Sequence, residues 1–255
     1  MGAIQIGIAN RKGGIGKSST ALALAAGLQN RGYKVLMIDT DPQCNTTGVY
    51  GAEIDGVATL YDIFFSGVGA EQCIQHTAYG DIIPSDPGLK TADTKVDAGP
   101  KMYRYIKTAI KELENKYDFI IYDTPPQAGI LLGNTLMTCS KIIIPCTCDL
   151  FGVQGIADFY KELKEYQDDN EDLSVLGLLI IKYQGRQKLT QSLEEQFLPD
   201  LAANMDSKVF KTRIRESVKC REAQTQHQSL FKYAPTCSTA IDYNAFIDEI
   251  LAEVL

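Results

Sequence analysis

No run of apolar residues in this chain is long enough to cross a bilayer, and strand-like sequence begins at Ile4, which leaves no room for an export signal. A cytoplasmic protein is the expectation. Histidine is scarce, with only His76 and His227 among 255 residues. The seven cysteines form no Cys-x-x-Cys pair, and Cys146 and Cys148 are separated by a single residue. Neither a transition-metal site nor a dithiol redox pair is expected. An odd number of cysteines without an export signal fits reduced thiols acting as small core residues. No Pro/Gly/Ser-rich linker, low-complexity tract or internal repeat divides the chain. With 45% hydrophobic residues, it has the material for one substantial α/β domain over residues 1–255.

What is present is an alternation of apolar runs and helical patterns. Ile4–Ala9, Lys34–Asp39, Asp81–Pro84, Phe119–Asp123, Lys141–Pro145 and Val175–Ile181 read as strands, and most are nearly continuous in aliphatic residues. Such runs suit a parallel sheet covered on both faces. Helical spacing falls between them, at 17–30, 57–65, 101–116, 129–139, 153–167, 188–203 and 240–254. The order predicts a doubly wound, mostly parallel sheet with helices on both faces and ligands at the carboxyl ends of the strands.

Between the first strand and the first helix lies Arg11-Lys12-Gly13-Gly14-Ile15-Gly16-Lys17-Ser18. Glycines leave successive backbone N–H groups free to form a concave nest for phosphate. The terminal lysine and hydroxyl then supply a cation for the β/γ-phosphates and a ligand for Mg²⁺. The first position of the usual P-loop pattern is glycine, and here it is Arg11. A glycine-rich turn with a chance lysine is the plain alternative. The flanking strand and helix favour the phosphate loop, because they aim a helix N-terminus at the anion.

Two strands end in carboxylates. Asp39-Thr40-Asp41-Pro42-Gln43 closes one, and Asp123-Thr124-Pro125-Pro126 closes the other. An apolar strand that stops on aspartate is the Walker B arrangement, in which the carboxylate serves the magnesium shell. The same residue type also caps helices and starts turns. Asp123 is the stronger candidate, Asp39 the weaker, and Ser18 completes the expected metal set.

With these motifs in place, the chain resembles the ParA-type ATPases of the deviant Walker A class, the group that also holds MinD and the nitrogenase iron protein. The likeness rests on Lys12–Ser18, Asp39–Gln43 and Phe119–Pro126. It continues through Lys141–Pro145, Val175–Lys182 and Val209–Ala223. The resemblance implies a P-loop NTPase fold, ATP and Mg²⁺ as cofactors, and nucleotide held by Lys12, Gly13, Gly14, Ile15, Gly16, Lys17, Ser18, Ser19 and Arg215. It also implies that Lys12 reaches the phosphates of a partner copy in an ATP-sandwich homodimer, and that Asp41 orients the attacking water. Lys12, Lys17 and Asp41 are then the catalytic set of a slow ATPase stimulated by a ParB-like adaptor. No N-terminal helix-turn-helix extension is expected.

Within that class, three partners compete. The C-terminal stripe Ile241, Phe246, Ile247, Ile250, Leu251 and Val254 is flanked by Asp242, Asp248, Glu249 and Glu253. Anionic lipid would repel such a face, so core packing is the expectation and no membrane partner follows. The loop Thr124–Gly129 has no cysteine, which argues against an iron–sulfur cluster. DNA is left. The whole chain carries −7, yet Lys208, Lys211, Arg213, Arg215, Lys219 and Arg221 face only Glu216 within 208–221. Doubled in a dimer, this patch, extended by Arg186 and Lys188, could neutralise phosphates without reading bases. Its members could instead line the nucleotide pocket or form surface ion pairs. The expected role is plasmid or chromosome partition, or cargo positioning, with nucleoid association in the ATP state.

Overall fold

A computed structural model describes residues 2–99, 101–183 and 193–255. The aliphatic runs form strands β1 (Ile4–Ile8), β2 (Val35–Asp39), β3 (Gln75–Thr77), β4 (Gly80–Ile83), β5 (Phe119–Asp123), β6 (Lys141–Cys146), β7 (Ser174–Tyr183) and β8 (Val209–Arg215). They make one sheet in the order β3-β4-β2-β5-β1-β6-β7-β8. All pairings are parallel except β3 with β4, a short antiparallel edge. The strand order reverses around β1, which places the loop after β1 at the switch point where such sheets bind ligands.

Period-two alternation sends side chains to two separate cores. Leu36, Ile38, Ile120, Ile142 and Leu178 pack on one face, under the helices Leu60–Phe65, Tyr105–Ile110, Ile130–Leu136, Leu150–Gln167 and Leu198–Ala203. Ile6, Ile8, Met37, Ile121 and Leu179 pack on the other, under Lys17–Asn30 and Ser238–Val254. The C-terminal stripe is indeed core: Phe246, Ile247 and Ile250 are fully buried, while Ile241 at its start is exposed.

Several elements differ from the sequence reading. The expected helix at 101–116 is regular only over Tyr105–Ile110. It continues in tighter i→i−3 turns, with Leu113 N donating to Ile110 O at 2.8 Å, which still bury Leu113. The first part of the expected helix at 188–203 lies outside the described residues, and its end is the helix Leu198–Ala203. The short helix Asn45–Tyr50 and strand β3 are too brief to produce a periodic signal.

Strand β8 is not among the strands that the aliphatic runs predict. Phe210 and Ile214 point inward, and Lys211, Arg213 and Arg215 alternate with them, so the central three cations of the basic patch share one face of an edge strand, while Lys219 and Arg221 lie on the helix Val218–Thr225. Carboxylates of the C-terminal helix cap that edge. Glu249 accepts from the backbone N–H groups of Lys211 (2.7 Å) and Thr212 (3.1 Å), and Asp242 accepts from that of Arg215 (2.9 Å). Pairing with a further strand is thereby blocked.

Candidate nucleotide-binding site

Strand register assembles the site. Ile8 at the end of β1 lies opposite Asp123 at the end of β5, and Asp39 at the end of β2 lies opposite Asp123 on the other side. The glycine loop and the two carboxylate tips therefore share one edge of the sheet.

Asn10 pins the start of the loop. Its Nδ2 donates to Pro145 O (2.8 Å), and its Oδ1 accepts from Lys12 N (2.9 Å). Gly14 and Gly16 adopt φ of 67° and 84°, a left-handed conformation that strains any side chain. A Cβ on Gly13 or Gly14 would meet no heavy atom within 4 Å. The backbone is thus bare toward an open cradle at the N-terminus of the helix Lys17–Asn30. Ile15, between the glycines, is buried and anchors the loop in the core.

Lys17 is only 6% exposed. Burial lowers its pKa from the ordinary lysine value, and the charges of Asp123 and Asp41 oppose that shift. Its Nζ has one long contact, to Lys12 O at 3.4 Å. Ser19 accepts from Gln224 Nε2 at 3.0 Å beside a cavity of about 210 Å³ lined by Gly14, Gly16, Arg215, Cys220 and Tyr243. A second cavity, of about 300 Å³, is bordered by Asp41, Gln43, Lys90 and Gln127.

The three aspartates have different surroundings. Asp39 is fully buried and its oxygens are occupied: Oδ1 accepts from Asp41 N (3.0 Å), and Oδ2 accepts from Thr47 N and Thr47 Oγ1 (both 2.8 Å). Asp123 is equally buried. Its Oδ2 accepts from Thr46 Oγ1 at 2.7 Å, but among the described residues its Oδ1 has no partner. Asp41 is 7% exposed and accepts from Gln43 N at 3.0 Å. Burial raises its pKa above the ordinary carboxylate value, partly offset by the Gln43 N–H and by Lys17 and Lys90. A buried carboxylate oxygen without a donor, next to the Ser18 hydroxyl, is suited to a divalent cation.

Burial pushes the Asp39 carboxyl up to about 8, with the neighbouring charge of Asp123 adding to the effect. It pushes Asp123 up to about 6 against the opposing hydroxyls of Thr46 and Ser18. In the unfolded chain both titrate near ~3.9. Because the folded protein holds these protons more tightly, the associated stability is complete below about pH 4 and is lost as pH rises through about 6 and then 8. Nucleotide-free protein in a chelator is therefore expected to melt at a lower temperature near about pH 9 than near about pH 5.5, and Asp39→Asn should flatten the trend. Thermal melts across pH check this; equal slopes for parent and variant would refute it.

Lys12, the extra lysine of the loop, is half-exposed and bound within its own chain. Its Nζ lies 3.2 Å from Asp149 Oδ2 and 3.3 Å from Thr147 Oγ1. Asp149 also caps the helix Leu150–Gln167 by accepting from Gly152 N at 2.8 Å. Arg11, at the position of the missing glycine, pairs with Glu162 of the same helix at 2.6 Å.

The basic patch proves largely neutralised. Lys208 pairs with Glu253, Arg213 with Glu194, Arg215 with Asp242 (2.7 Å) and Lys219 with Glu222 (2.7 Å). Among the described residues, Lys211 and Arg221 form no ion pair with a carboxylate. Arg186 and Lys188 lie outside the described residues. Counting charges along the sequence missed the partners because Glu194, Asp242 and Glu253 come from other elements. Thr46, Thr47, Asn10 and Asp149 were missed too, since a short polar side chain near a site carries no periodic or motif signal.

A parallel sheet with an open glycine cradle, a buried loop lysine and a strand-tip aspartate beside it defines a P-loop nucleoside triphosphatase with the deviant, lysine-bearing loop. Residues 3–175 match the AAA_31 family, described as an AAA domain. The chromosome-partitioning ATPase Soj of Thermus thermophilus is 32% identical over 254 residues, spanning 98% of this chain and 96% of the relative. The sporulation initiation inhibitor protein Soj of Bacillus subtilis is 30% identical over 97% of this chain and 98% of its own length. The chain belongs to this Soj/ParA family of chromosome-partitioning ATPases. In fold alone, it resembles cobyrinic acid a,c-diamide synthase from Mycobacterium smegmatis solved with a bound ATP analogue and magnesium. The TM-score is 0.82 and the identity 24%, with 98% of this chain and 95% of that one covered.

Proposed function

We propose that this protein is a Mg²⁺-dependent ATPase that closes as a homodimer over two ATP molecules, binds DNA without sequence preference in that state, and drives partition or cargo positioning. The observation that carries the reading is the pairing of a desolvated Lys17 with an unpartnered Asp123 oxygen beside an open glycine cradle. Residues Lys12–Ser19 cradle the phosphates, and Lys17 meets their charge. Arg215 borders the pocket of the remaining nucleotide, although its guanidinium is held by Asp242. Ser18 and Asp123 hold Mg²⁺, and Asp39, whose oxygens are occupied, supports Asp123 from the adjacent strand. When bound, the cation offsets negative charge on the phosphate oxygens. Asp41 orients water, and Lys12 leaves Asp149 to serve the partner's nucleotide, as an arginine finger does elsewhere.

Such an enzyme is slow alone and waits for a stimulating partner, for which a ParB-like adaptor fits the family. It works in the cytoplasm and on the nucleoid. Among the described residues, no helix is long and apolar enough to cross a membrane. Most of the C-terminal apolar stripe packs in the core, which speaks against the MinD-like membrane alternative. The nitrogenase-type alternative lacks cysteine in Thr124–Gly129.

DNA contact would come first from Lys211 and Arg221, with Lys208, Arg213 and Lys219 contributing when their ion pairs open and Arg186 and Lys188 as further candidates. DNA retention across a salt series with ATP, ADP or no nucleotide is the test. The expected result is binding that appears only with ATP and falls steeply with salt, with a shallower slope in a Lys211→Ala, Arg221→Ala double variant. Retention that ignores nucleotide, or none at all, would overturn the DNA role.

A further inference from the structure

Asp123 and Asp39 are neighbours in register at the tips of β5 and β2, and both are wholly buried. Two carboxyl groups so placed need fixed orientations. Most of the fixing groups come from one short helix, Asn45–Tyr50, whose N-cap Cys44 directly follows the Asp41-Pro42-Gln43 turn. Thr47 uses its N–H and its hydroxyl on Asp39 Oδ2, both at 2.8 Å. The Thr47 oxygen itself accepts from Ser85 N at 2.9 Å, so its one hydroxyl proton is directed at Asp39. Adding the N–H of Asp41 on Oδ1 leaves Asp39 with both oxygens engaged.

The adjacent threonine treats Asp123 differently. Thr46 is fully buried and donates to Oδ2 alone, at 2.7 Å. Among the described residues, no donor reaches hydrogen-bond geometry on Oδ1, and the Ser18 hydroxyl lies near the same carboxyl. A carboxylate rotates on a broad, nearly two-fold torsion, and in the absence of a fixed donor either oxygen can take either direction. A β-branched side chain has few rotamers, so its hydroxyl is a stiff pointer. We propose that Thr46 is a positioning residue, whose hydroxyl pins one oxygen of Asp123 so that the other is presented to the Mg²⁺ of the bound nucleotide. The inference rests on the ATP-site assignment above and extends it to a residue outside the loop and strand-tip motifs. It also links two functions in one element, because the helix that orients the metal carboxylate is the continuation of the turn that holds Asp41.

The experiment is a MgCl₂ titration at saturating non-hydrolysable ATP analogue, read as the Mg²⁺ concentration giving half of the thermal stabilisation. Thr46→Val keeps the side-chain shape and removes the donor. Its midpoint should rise by about 10–100-fold, the usual cost of losing a group that orients a metal ligand. Thr46→Ser keeps the hydroxyl and should stay near the parent. Binding of a fluorescent ADP analogue in chelator should be the same for all three proteins, because no metal is involved. If Thr46→Val does not fold, Thr46→Ala compared with Thr46→Ser makes the same comparison. A hydroxyl-lacking variant with the parental midpoint, or equal shifts for the variants with and without a hydroxyl, would overturn the role of Thr46 while leaving the ATP site intact. A parent indifferent to Mg²⁺ at saturating nucleotide would instead overturn the ATP-site assignment and this inference together.

Discussion

Lys17→Ala is expected to weaken ATP binding by about two to three orders of magnitude, below detection in ordinary calorimetry. Lys17 opens the helix Lys17–Asn30 and is 6% exposed, so its ammonium has lost most of its water. What it has gained is a long contact to Lys12 O at 3.4 Å and the distributed charge of Asp123 and Asp41. Triphosphate would supply the missing close partner. Breaking a buried charge pair from one side costs about 3–5 kcal/mol, which is the size of the predicted loss. The free protein gives a second readout. Alanine removes an ammonium whose burial is unfavourable, so the nucleotide-free variant should melt no lower than the parent even though it no longer binds. Undiminished ATP affinity would refute the assignment of the loop.

Lys12→Ala should separate binding from assembly. The variant keeps Lys17, the glycine cradle and Asp123, and is expected to bind ATP nearly as the parent does. ATP-dependent dimerisation should disappear, and turnover should fall by about 10³-fold or more, the effect of withdrawing a cation supplied in trans to the transferring phosphate. Lys12 would then have two stations, the first of them its ion pair with Asp149. Its Nζ rests 3.2 Å from Asp149, on a side chain 38% exposed, so leaving that ion pair costs little and the ammonium is not locked in the core. Light scattering with sizing chromatography checks the outcome, with Asp41→Ala added to both proteins to hold ATP intact. A Lys12→Ala, Asp41→Ala protein that dimerises as fully as Asp41→Ala would defeat the proposal that the lysine crosses the interface.

The parts of the fold that could be read in advance are those whose signal is local. Continuous aliphatic runs such as Phe119–Asp123 and Lys141–Cys146 became central parallel strands, because a strand covered on both faces has no polar alternation. The helix Lys17–Asn30 starts at the expected residue, since Gly16 in a left-handed conformation ends the loop there. β8 gives no such signal, because Lys211, Arg213 and Arg215 make an edge strand look like a charge cluster. The helix Asn45–Tyr50 gave no warning because six residues span less than two turns.

Sequence order alone defines the phosphate loop, the aspartate-tipped strands and the alternation that brings them to one edge. Each depends on neighbours within a few residues, where glycine freedom and side-chain period are decisive. Tertiary structure decided the rest. Asp39 and Asp123 are the same residue type at equivalent strand ends, yet one is saturated with hydrogen bonds and the other keeps an open oxygen. A segment dense in cations is mostly quenched by acids from the C-terminal helix and from Glu194 and Glu222. Hydrogen-bond saturation and charge pairing are set by which distant groups meet in space, and only folding makes that choice.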